Sequence, residues 1–476
     1  MIRLYDILSE EEEKLIDEKV MSILSNVGVE FDYEPAATCL KENGVRMEGN
    51  RAFFEPDFVK AKLALAPAEF TLNARDPEKK LVCKRGSFIL TPSYGTPFIY
   101  DIDGNVREST YEDYCNIVKL AHVSQNINHS GGNVCEPNEI PDEYRHIKMI
   151  EAHVRYSDKP FMGIARGYDG AKDSIDIAAM IHGGYDVIAK TPALVTLINS
   201  ITPLKYDERM LGALMAHAEY GQVNMVSSLV MSGSTGPVTM AGTLALQLAE
   251  NLAGVVLAQC VRPGAPCIIG QTSAPADMTS LNLVHGNAEA ALYAAATAQM
   301  AKFYGVPSRT GGAYNDAILV DAQAGYESML AMMSTGISGT AFVLHAAGIM
   351  QAFNATSYEK FIIDDEICGL VKKFMKGYDF SDEKFVLDDI AAVGPGGHFL
   401  FQDSTLRFAR EELRRPFISN SDIVEIWDKK GRPSVAQKAK DYWQKQLKDY
   451  EPPAMDAALE HDFNEFINAR VKELSA

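Results

Sequence analysis

Residues 310–348 read TGGAYNDAILVDAQAGYESMLAMMSTGISGTAFVLHAAG. A Gly-Gly-polar turn leads into a long apolar-periodic segment, and the apolar run Thr340–Leu344 ends in a second polar turn at His345 and Gly348. The pattern is loop, helix, strand, loop. No side chain between Glu327 and Glu359 carries a full charge. A membrane span needs roughly 20 uninterrupted lipid-facing residues; Ser334, Thr335, Gly336, Ser338, Gly339, Thr340 and His345 break the stretch too often. A buried helix followed by a strand hidden on both faces fits instead, and such strands belong to parallel sheets covered by helices.

The same unit recurs upstream. Strand-like runs start at Asn126 (NINHSGGNV), Pro160 (PFMGIA), Ala193 (ALVTLINS), Val223 (VNMVSSLVMS), Cys267 (CIIGQT), Val306 (VPSRTGG) and Thr340 (TAFVLHAAG), each followed by a helix-length segment. Their starts lie roughly 30 to 40 residues apart, the length of one βα unit. After a helix over Tyr358–Met375, HFLFQDST from His398 is the candidate eighth strand. Eight βα units favour an α/β fold of the (β/α)8 TIM barrel type over an open doubly wound sheet.

Before this repeat, Ser9 and Glu12 form a capping-box pattern for a helix through Leu15, Ile16, Met21, Ile23 and Leu24 that stops at Gly28. Short strands follow, including SFIL and PFIYD with a turn at Asp103-Gly104. After Glu411 the chain turns charged and helical, broken at Pro452-Pro453. The expected division is an N-terminal α+β cap over 1–108, the barrel over 109–410, and a C-terminal helical tail over 411–476 that packs on a neighbouring subunit. Charge is scarce from Val223 to Ala352, so the outer helices there are expected to be covered too, by a homo-oligomer.

Forty-five basic against 64 acidic residues give a net charge of −19. Affinity for nucleic acid or an anionic membrane surface is not expected without a local basic patch. Seven cysteines with no CxxC pair argue against a disulfide framework or a four-cysteine zinc site, so a reducing cytoplasm is expected. The N-terminus has neither the basic n-region nor the apolar h-region of a signal peptide.

In a barrel the reacting groups lie where strands run into βα loops. Those loops here are polar, glycine-rich and almost free of carboxylates, which removes a glycosidase pair. The ten histidines are scattered, which removes a metal-assisted hydrolase, and no GxSxG elbow or P-loop is present. GSTGPVT from Gly233 opens a helix, and its amides either hold an anion or serve a tight turn. His345 is either a core histidine or a functional one at a strand end. Arg309 either clamps a carboxylate with its planar fork or pairs with Asp316 or Asp321. Tyr94, Tyr100, Tyr314, Phe353 and Tyr358 lie in or near loops, and ring faces are what a quaternary ammonium requires.

Four stretches together resemble the trimethylamine methyltransferase family, including members that lack pyrrolysine and act on betaines. They are Gly233–Pro266 (GSTGPVTMAGTLALQLAENLAGVVLAQCVRPGAP), Arg309–Ser328 (RTGGAYNDAILVDAQAGYES), Val343–Gly348 (VLHAAG) and Ser357–Gly369 (SYEKFIIDDEICG). The resemblance implies a (β/α)8 barrel that moves a methyl group from a methylated amine to the cobalt of a separate corrinoid protein. The chain has no Asp-x-His-x-x-Gly cobalamin motif; Val343-x-His345-x-x-Gly348 lacks the Asp. Cobalamin is therefore expected on a partner, with no tightly bound cofactor or metal here. Founding members contain pyrrolysine and this chain is written in standard residues, so a betaine donor is expected: glycine betaine first, with proline betaine, carnitine or γ-butyrobetaine as alternatives, or a non-catalytic betaine-binding subunit. A quaternary nitrogen leaves as a neutral tertiary amine, so no acid or base is required. The expected site has Tyr94, Tyr314 and Phe353 facing the cation, with Arg309, His345, Asn199, Ser234 or the amides after Ser232 holding the carboxylate.

Overall fold

The computed structural model describes residues 4–476. Its centre is a parallel sheet of seven strands: β1 Ile89–Pro92, β2 Phe161–Met162, β3 Leu194–Asn199, β4 Val223–Ser228, β5 Cys267–Gln271, β6 Ser308–Gly311 and β7 Phe342–Ala347. Strands β2 to β7 lie side by side in chain order, and β1 pairs with the far edge of β7, Ile89 opposite Phe342. Helices follow: α1 Gly167–His182, α2 Glu208–Glu219, α3 Met240–Val261, α4 Ala288–Phe303, α5 Ala322–Ile337 and α6 Tyr358–Lys376. This is an α/β fold with a curved parallel sheet.

Alternation along each strand sorts the side chains. Val195, Leu197, Val223, Met225, Ile268, Phe342 and Leu344 join Ile89 and Met162 in one cluster inside the curve of the sheet. Their neighbours Ile198, Val226 and Ile269 face the helices in a second cluster. Each strand is thus buried on both faces, as the uncharged run at 328–358 implies. Leu72 and Cys83, from the hairpin Phe70–Leu72 with Leu81–Cys83, close one end of the inner cluster. Burying one such side chain contributes about 1.5–3 kcal/mol.

Two expectations need correction here. The HFLFQDST stretch is no strand: it runs through a turn into the helix Asp403–Glu412, with Phe399, Leu400 and Phe401 exposed. The strand missing from the count is instead β1, within the stretch assigned to the cap. SFIL was read as a strand of the cap rather than of the barrel because the hairpin Phe98–Tyr100 with Val106–Glu108 separates β1 from its helix Tyr111–Val123, so the βα spacing is lost. The expected strand at Asn126 is irregular, yet it lies between β1 and β2. His129 N donates to Leu90 O at 3.2 Å, Ser130 N to Pro160 O at 2.9 Å, and Met162 N to Gly131 O at 2.8 Å.

The N-terminal layer begins with the helix Glu10–Ser22, closed by the capping box: Ser9 N donates to Glu12 Oε2 at 2.8 Å and Glu12 N to Ser9 Oγ at 3.3 Å. It ends through a π-turn at Gly28, whose φ is +76° and where a Cβ would lie 2.6 Å from Ala52 O. This layer covers α3, the one helix among the described residues long and apolar enough to cross a membrane. Helices Glu10–Ser22, Glu34–Glu42 and Pro56–Leu63 pack on it, so this cover comes from the chain itself rather than from a second copy.

The tail also packs on its own chain. Trp443, in the helix Val435–Lys448, stacks on Tyr358 at 4.6 Å and donates Nε1–H to Glu359 at 3.0 Å. The last helix, Ala457–Leu474, buries Phe463 and Ile467 and ties Arg470 to Asp173 at 2.8 Å. The stretch before them, between α6 and Val435, buries nothing along its helices Leu387–Val393, Asp403–Glu412 and Val424–Lys429.

Candidate functional site

At the ends of β5, β6 and β7, four rings meet. His285, Tyr314, His345 and Phe353 have neighbouring centroids 4.4 to 5.4 Å apart, and Tyr94 stands edge-on to His345 at 6.3 Å. Each arrives by a distinct local device. His345 has φ +60°, a left-handed turn inside β7 that shifts the register between Val343 and Ala347 and breaks the in-out alternation at the imidazole. Gln351, Ala352 and Phe353 are three successive left-handed residues, at +46°, +45° and +74°. Such conformations cost about 1–2 kcal/mol each for L-residues, so the surroundings must hold them. Ala352 N donates to Asn315 O at 3.0 Å, and Tyr100 Oη donates to the Gln351 side chain.

Tyr314 lies over β6 because Gly311 has no side chain; a Cβ there would fall 1.6 Å from the ring. Beneath the rings sits Arg309, fully buried. Its Nη1 donates to Gln271 O at 2.8 Å, Thr272 Oγ1 at 3.1 Å and Ser227 Oγ at 3.2 Å. All three acceptors are neutral. The carboxylates that could have paired with it are occupied elsewhere. Asp316 accepts from His285 N and Gly286 N at 2.9 and 2.8 Å, and Asp321 caps α5. Among the described residues Arg309 has no acidic partner, and burial pulls its pKa down.

Unsatisfied polar atoms converge on the same place. Arg309 Nε, Tyr314 Oη, His285 Nδ1 and His345 Nδ1 are all buried without a hydrogen-bond partner. An orphaned buried group costs about 1–3 kcal/mol. Four in one cluster mark a place prepared for something polar. His285 Nε2 lies 2.8 Å from Thr272 O; a carbonyl only accepts, so Nε2 carries the proton and Nδ1 presents a lone pair. Burial holds His285 at about 4 and His345 well below its usual value, so both rings are neutral near pH 7. Burial raises the phenols of Tyr94 and Tyr314 to about 12, so neither ionises. Among the described residues, Arg309 is therefore the one charge in this nest of neutral rings.

The loop after β7 is anchored from below. Lys360 and Asp364, one turn apart on α6 and fully buried, form an ion pair. Lys360 Nζ also donates to Ser328 Oγ at 2.8 Å, while Asp364 Oδ2 accepts Gly348 N at 2.9 Å. Gly348 is the hinge where β7 leaves the sheet, so the pair ties the ring-bearing loop to α5 and α6.

Two openings adjoin the rings. One, of about 280 Å³, is bounded by Tyr94 and Asn199 together with Arg145, Arg166 and Arg209. The other, of about 540 Å³, lies between Asp277–Val284, Asp316–Ile318 and Gln351–Asn354.

Of the residues expected from sequence, Tyr94, Arg309, Tyr314, His345 and Phe353 come together, and Asn199 lies at the edge of the first opening. Ser234 does not join them. It is exposed in the turn Met231–Gly236, where Gly233 N donates to Gly236 O and both Ser234 N and Gly236 N donate to Met231 O, leaving these amides no anion to hold. Tyr358 is structural, donating to Asp113 at 2.7 Å. Sequence reasoning missed His285, which stands deep in a long loop just before the helix-capping Asn287, where nothing in its neighbours singles it out.

Comparison with known proteins adds to this geometry. A sequence model of a family described as trimethylamine methyltransferase (MTTB) matches residues 1–475. The chain is similar to a glycine betaine methyltransferase of Desulfitobacterium hafniense (strain Y51), 50% identical over 470 residues, covering 99% of this chain and 98% of that one. It is also similar to a proline betaine:corrinoid methyltransferase of Eubacterium limosum, 31% identical over 410 residues and 84% of each chain. Among solved structures, the Methanosarcina barkeri monomethylamine methyltransferase (MtmB) superposes with a TM-score of 0.55 at 13% identity, over 95% of this chain and 90% of that one. At that identity the likeness is one of fold.

Proposed function

The chain belongs to the trimethylamine methyltransferase family, and from that premise we propose that it transfers a methyl group from a quaternary amine, glycine betaine, to Co(I) of a separate corrinoid protein. The observation that carries this reading is the unpaired, buried Arg309 beneath neutral rings. A site for a methylated amine alone has no use for a buried cation. A betaine brings its own carboxylate, which Arg309 neutralises through charge-assisted hydrogen bonds.

With the carboxylate on Arg309, the quaternary nitrogen lies only two bonds of about 1.5 Å beyond the carboxyl carbon. That places it among Tyr314, His345, Phe353 and His285. Ring faces attract a cation that has no N–H to donate, with a strength of about 0.5–2 kcal/mol per face. Tyr94 stands edge-on to His345, and Asn199 borders the smaller opening beside it. The reaction breaks one N–CH3 bond, whose electron pair stays on nitrogen as dimethylglycine forms. Co(I) supplies the pair for the new Co–CH3 bond. No proton moves in that step, in keeping with imidazoles held neutral and phenols held un-ionised. The residues orient the donor and exclude water from it.

The remaining organisation follows the same reading. The closed (β/α)8 barrel is supported by segment 127–131, which bonds to both β1 and β2 and so serves as the eighth stave. The division into cap, barrel and tail keeps its boundary at 410, while the boundary between cap and barrel moves from 108 to just before β1. Cobalamin arrives on the partner, the methyl acceptor being a second substrate. Seven unpaired thiols suit a reducing cytoplasm.

The test is anaerobic: purified protein with Co(I) cobalamin, single betaines added in turn, and the conversion to methyl-Co(III) followed by its spectrum. Glycine betaine gives the fastest methylation. Equal rates for glycine betaine, proline betaine and carnitine, or none for any of them with a corrinoid protein present, refute the assignment.

A further inference from the structure

The loop Asp277–Leu283, which borders the 540 Å³ opening beside the rings, displays two large apolar side chains outward. Met278 and Leu281 are exposed, and Leu281 is held in the left-handed region at φ +59°. This is a built loop. Asp277 Oδ1 accepts from Thr279 N at 2.7 Å and Ser280 N at 2.9 Å, Leu281 N donates to Asp277 O at 2.7 Å, and Asp277 N donates to Asn282 O at 2.9 Å. A surface position that strains an L-residue in order to present a leucine to water gains nothing in the free protein.

The neighbours extend the display. Met278 and Val238 both border Gly233, and Ile318 lines the opening opposite Ser280. Val238, Met278, Leu281, Ile318 and Leu319 are 46–68% exposed. Together they offer roughly 500 Å² of apolar area, near the upper end of what monomers leave uncovered. Between them the opening is lined by Ser280, Asn282, Gln351 and Asn354, with Asp277 and Asp316. These are donors and acceptors without a basic group.

We propose that this apolar rim and the polar opening inside it are the surface on which the corrinoid protein docks, the amide-fringed edge of its corrin entering the opening while Met278 and Leu281 anchor the protein around it. The inference rests on the methyl-transfer reading above and deepens it. Two observations name this occupant over a second copy of the chain. Gln351 and Ala352 line the opening and lead directly into Phe353, so the surface adjoins the rings the cobalt must reach. Its area also falls short of the roughly 800 Å² per side that a stable complex buries, which suits a partner that leaves after every turnover. More apolar surface is exposed elsewhere: Tyr378, Phe380, Leu400, Phe401, Leu406 and Leu413 are 66–85% exposed on the unburied stretch near the C-terminus.

The experiment compares two methyl acceptors. The double variant Met278→Glu/Leu281→Glu and, as control, Leu65→Glu on an exposed apolar residue of the N-terminal layer are assayed with free Co(I) cobalamin and with a corrinoid protein of the source organism reconstituted with cobalamin. The double variant is expected to lose at least tenfold in kcat/KM toward the corrinoid protein, while its rate with free cobalamin and its glycine betaine affinity stay within twofold of wild type. The control keeps both. Unchanged kcat/KM toward the corrinoid protein overturns the proposal, as does an equal loss with both acceptors, or a fall in oligomer mass by light scattering in the double variant, which would assign the rim to a second copy. If the glutamates prevent folding, Met278→Gln/Leu281→Gln is read by the same criteria. Wild-type protein inactive with both acceptors refutes the methyl-transfer reading itself, and the docking assignment falls with it.

Discussion

Arg309→Met separates function from stability. In the free protein the guanidinium is buried and donates only to neutral oxygens, with Nε unpartnered. Methionine removes a desolvated charge that no carboxylate compensates; replacing buried ionic groups by apolar ones of similar volume is neutral or stabilising by about 1–4 kcal/mol. Against this, Gln271 O loses its donor, a cost of about 1–3 kcal/mol. The two nearly cancel, so the variant should unfold in urea within about 2 kcal/mol of wild type. Binding behaves otherwise. Losing one partner of a buried charge pair costs about 2–5 kcal/mol, or roughly 30- to 5,000-fold in glycine betaine affinity. At a betaine concentration 100 times the wild-type Kd, the ligand stabilises wild type by about 2.7 kcal/mol. A variant binding 30-fold more weakly gains less than about 1 kcal/mol from the same concentration. Urea unfolding with and without glycine betaine, and calorimetric titration, measure both quantities. A variant destabilised by several kcal/mol that still binds betaine normally would show that Arg309 is a structural residue.

Gly311→Ala puts a methyl carbon where the Tyr314 ring lies, 1.6 Å from its nearest atom. Displacing that ring costs about 1–3 kcal/mol in overpacking, and kcat/KM for betaine should drop at least tenfold, whereas Gly325→Ala, with open space at its Cβ, keeps full activity. Lys360→Met strands Asp364 in the interior and should destabilise by about 3–5 kcal/mol, while Lys360→Met/Asp364→Leu recovers most of the loss in denaturant melts; a single variant within 1 kcal/mol of wild type refutes the anchoring role. Acid should destabilise the fold above the range of carboxylate protonation. Burial holds His129 and His217 at about 3, His153 and His285 at about 4, and His345 low as well. The unfolded chain takes up these protons near 6.5 and the folded one does not, so stability present above pH 6.5 is lost at up to about 1.4 kcal/mol per pH unit per histidine as pH falls. Asp364, raised by burial to about 6, offsets one of them. A melting temperature that stays flat from pH 7 to 4.5 would contradict this.

The sequence revealed the sheet because buried parallel strands leave long uncharged runs, and seven of the expected runs coincide with β2 to β7 and the irregular segment at 127–131. It showed SFIL as a strand but hid its place in the barrel, because four residues followed by a hairpin carry no βα rhythm, and it offered HFLFQDST because apolar composition does not distinguish a buried strand from an exposed turn. Arg309, Tyr314, His345 and Phe353 were legible as chemistry-bearing residues at strand ends. Their assembly was not, since it depends on left-handed backbone at His345 and Phe353 that no residue type there announces. Ser234 failed for the converse reason: GSTG suggests free amides, and the turn consumes them. The covering of α3 was legible only as a need, and the sequence does not say that residues 10–63 meet it.

The pairing of β1 with β7 also sets the order in which the chain can mature. Ile89 has no strand partner on that side until Phe342 has left the ribosome, so the sheet cannot be completed before most of the polypeptide exists. Long-range pairings of this kind fold slowly and expose apolar surface while they wait. The layer that shelters α3, by contrast, is synthesised long before α3, and the most aggregation-prone helix emerges to find its cover already made. Chains truncated shortly after Val261 should therefore stay soluble far longer than fragments that begin after Leu65, a difference that arises during synthesis and that the finished protein no longer displays.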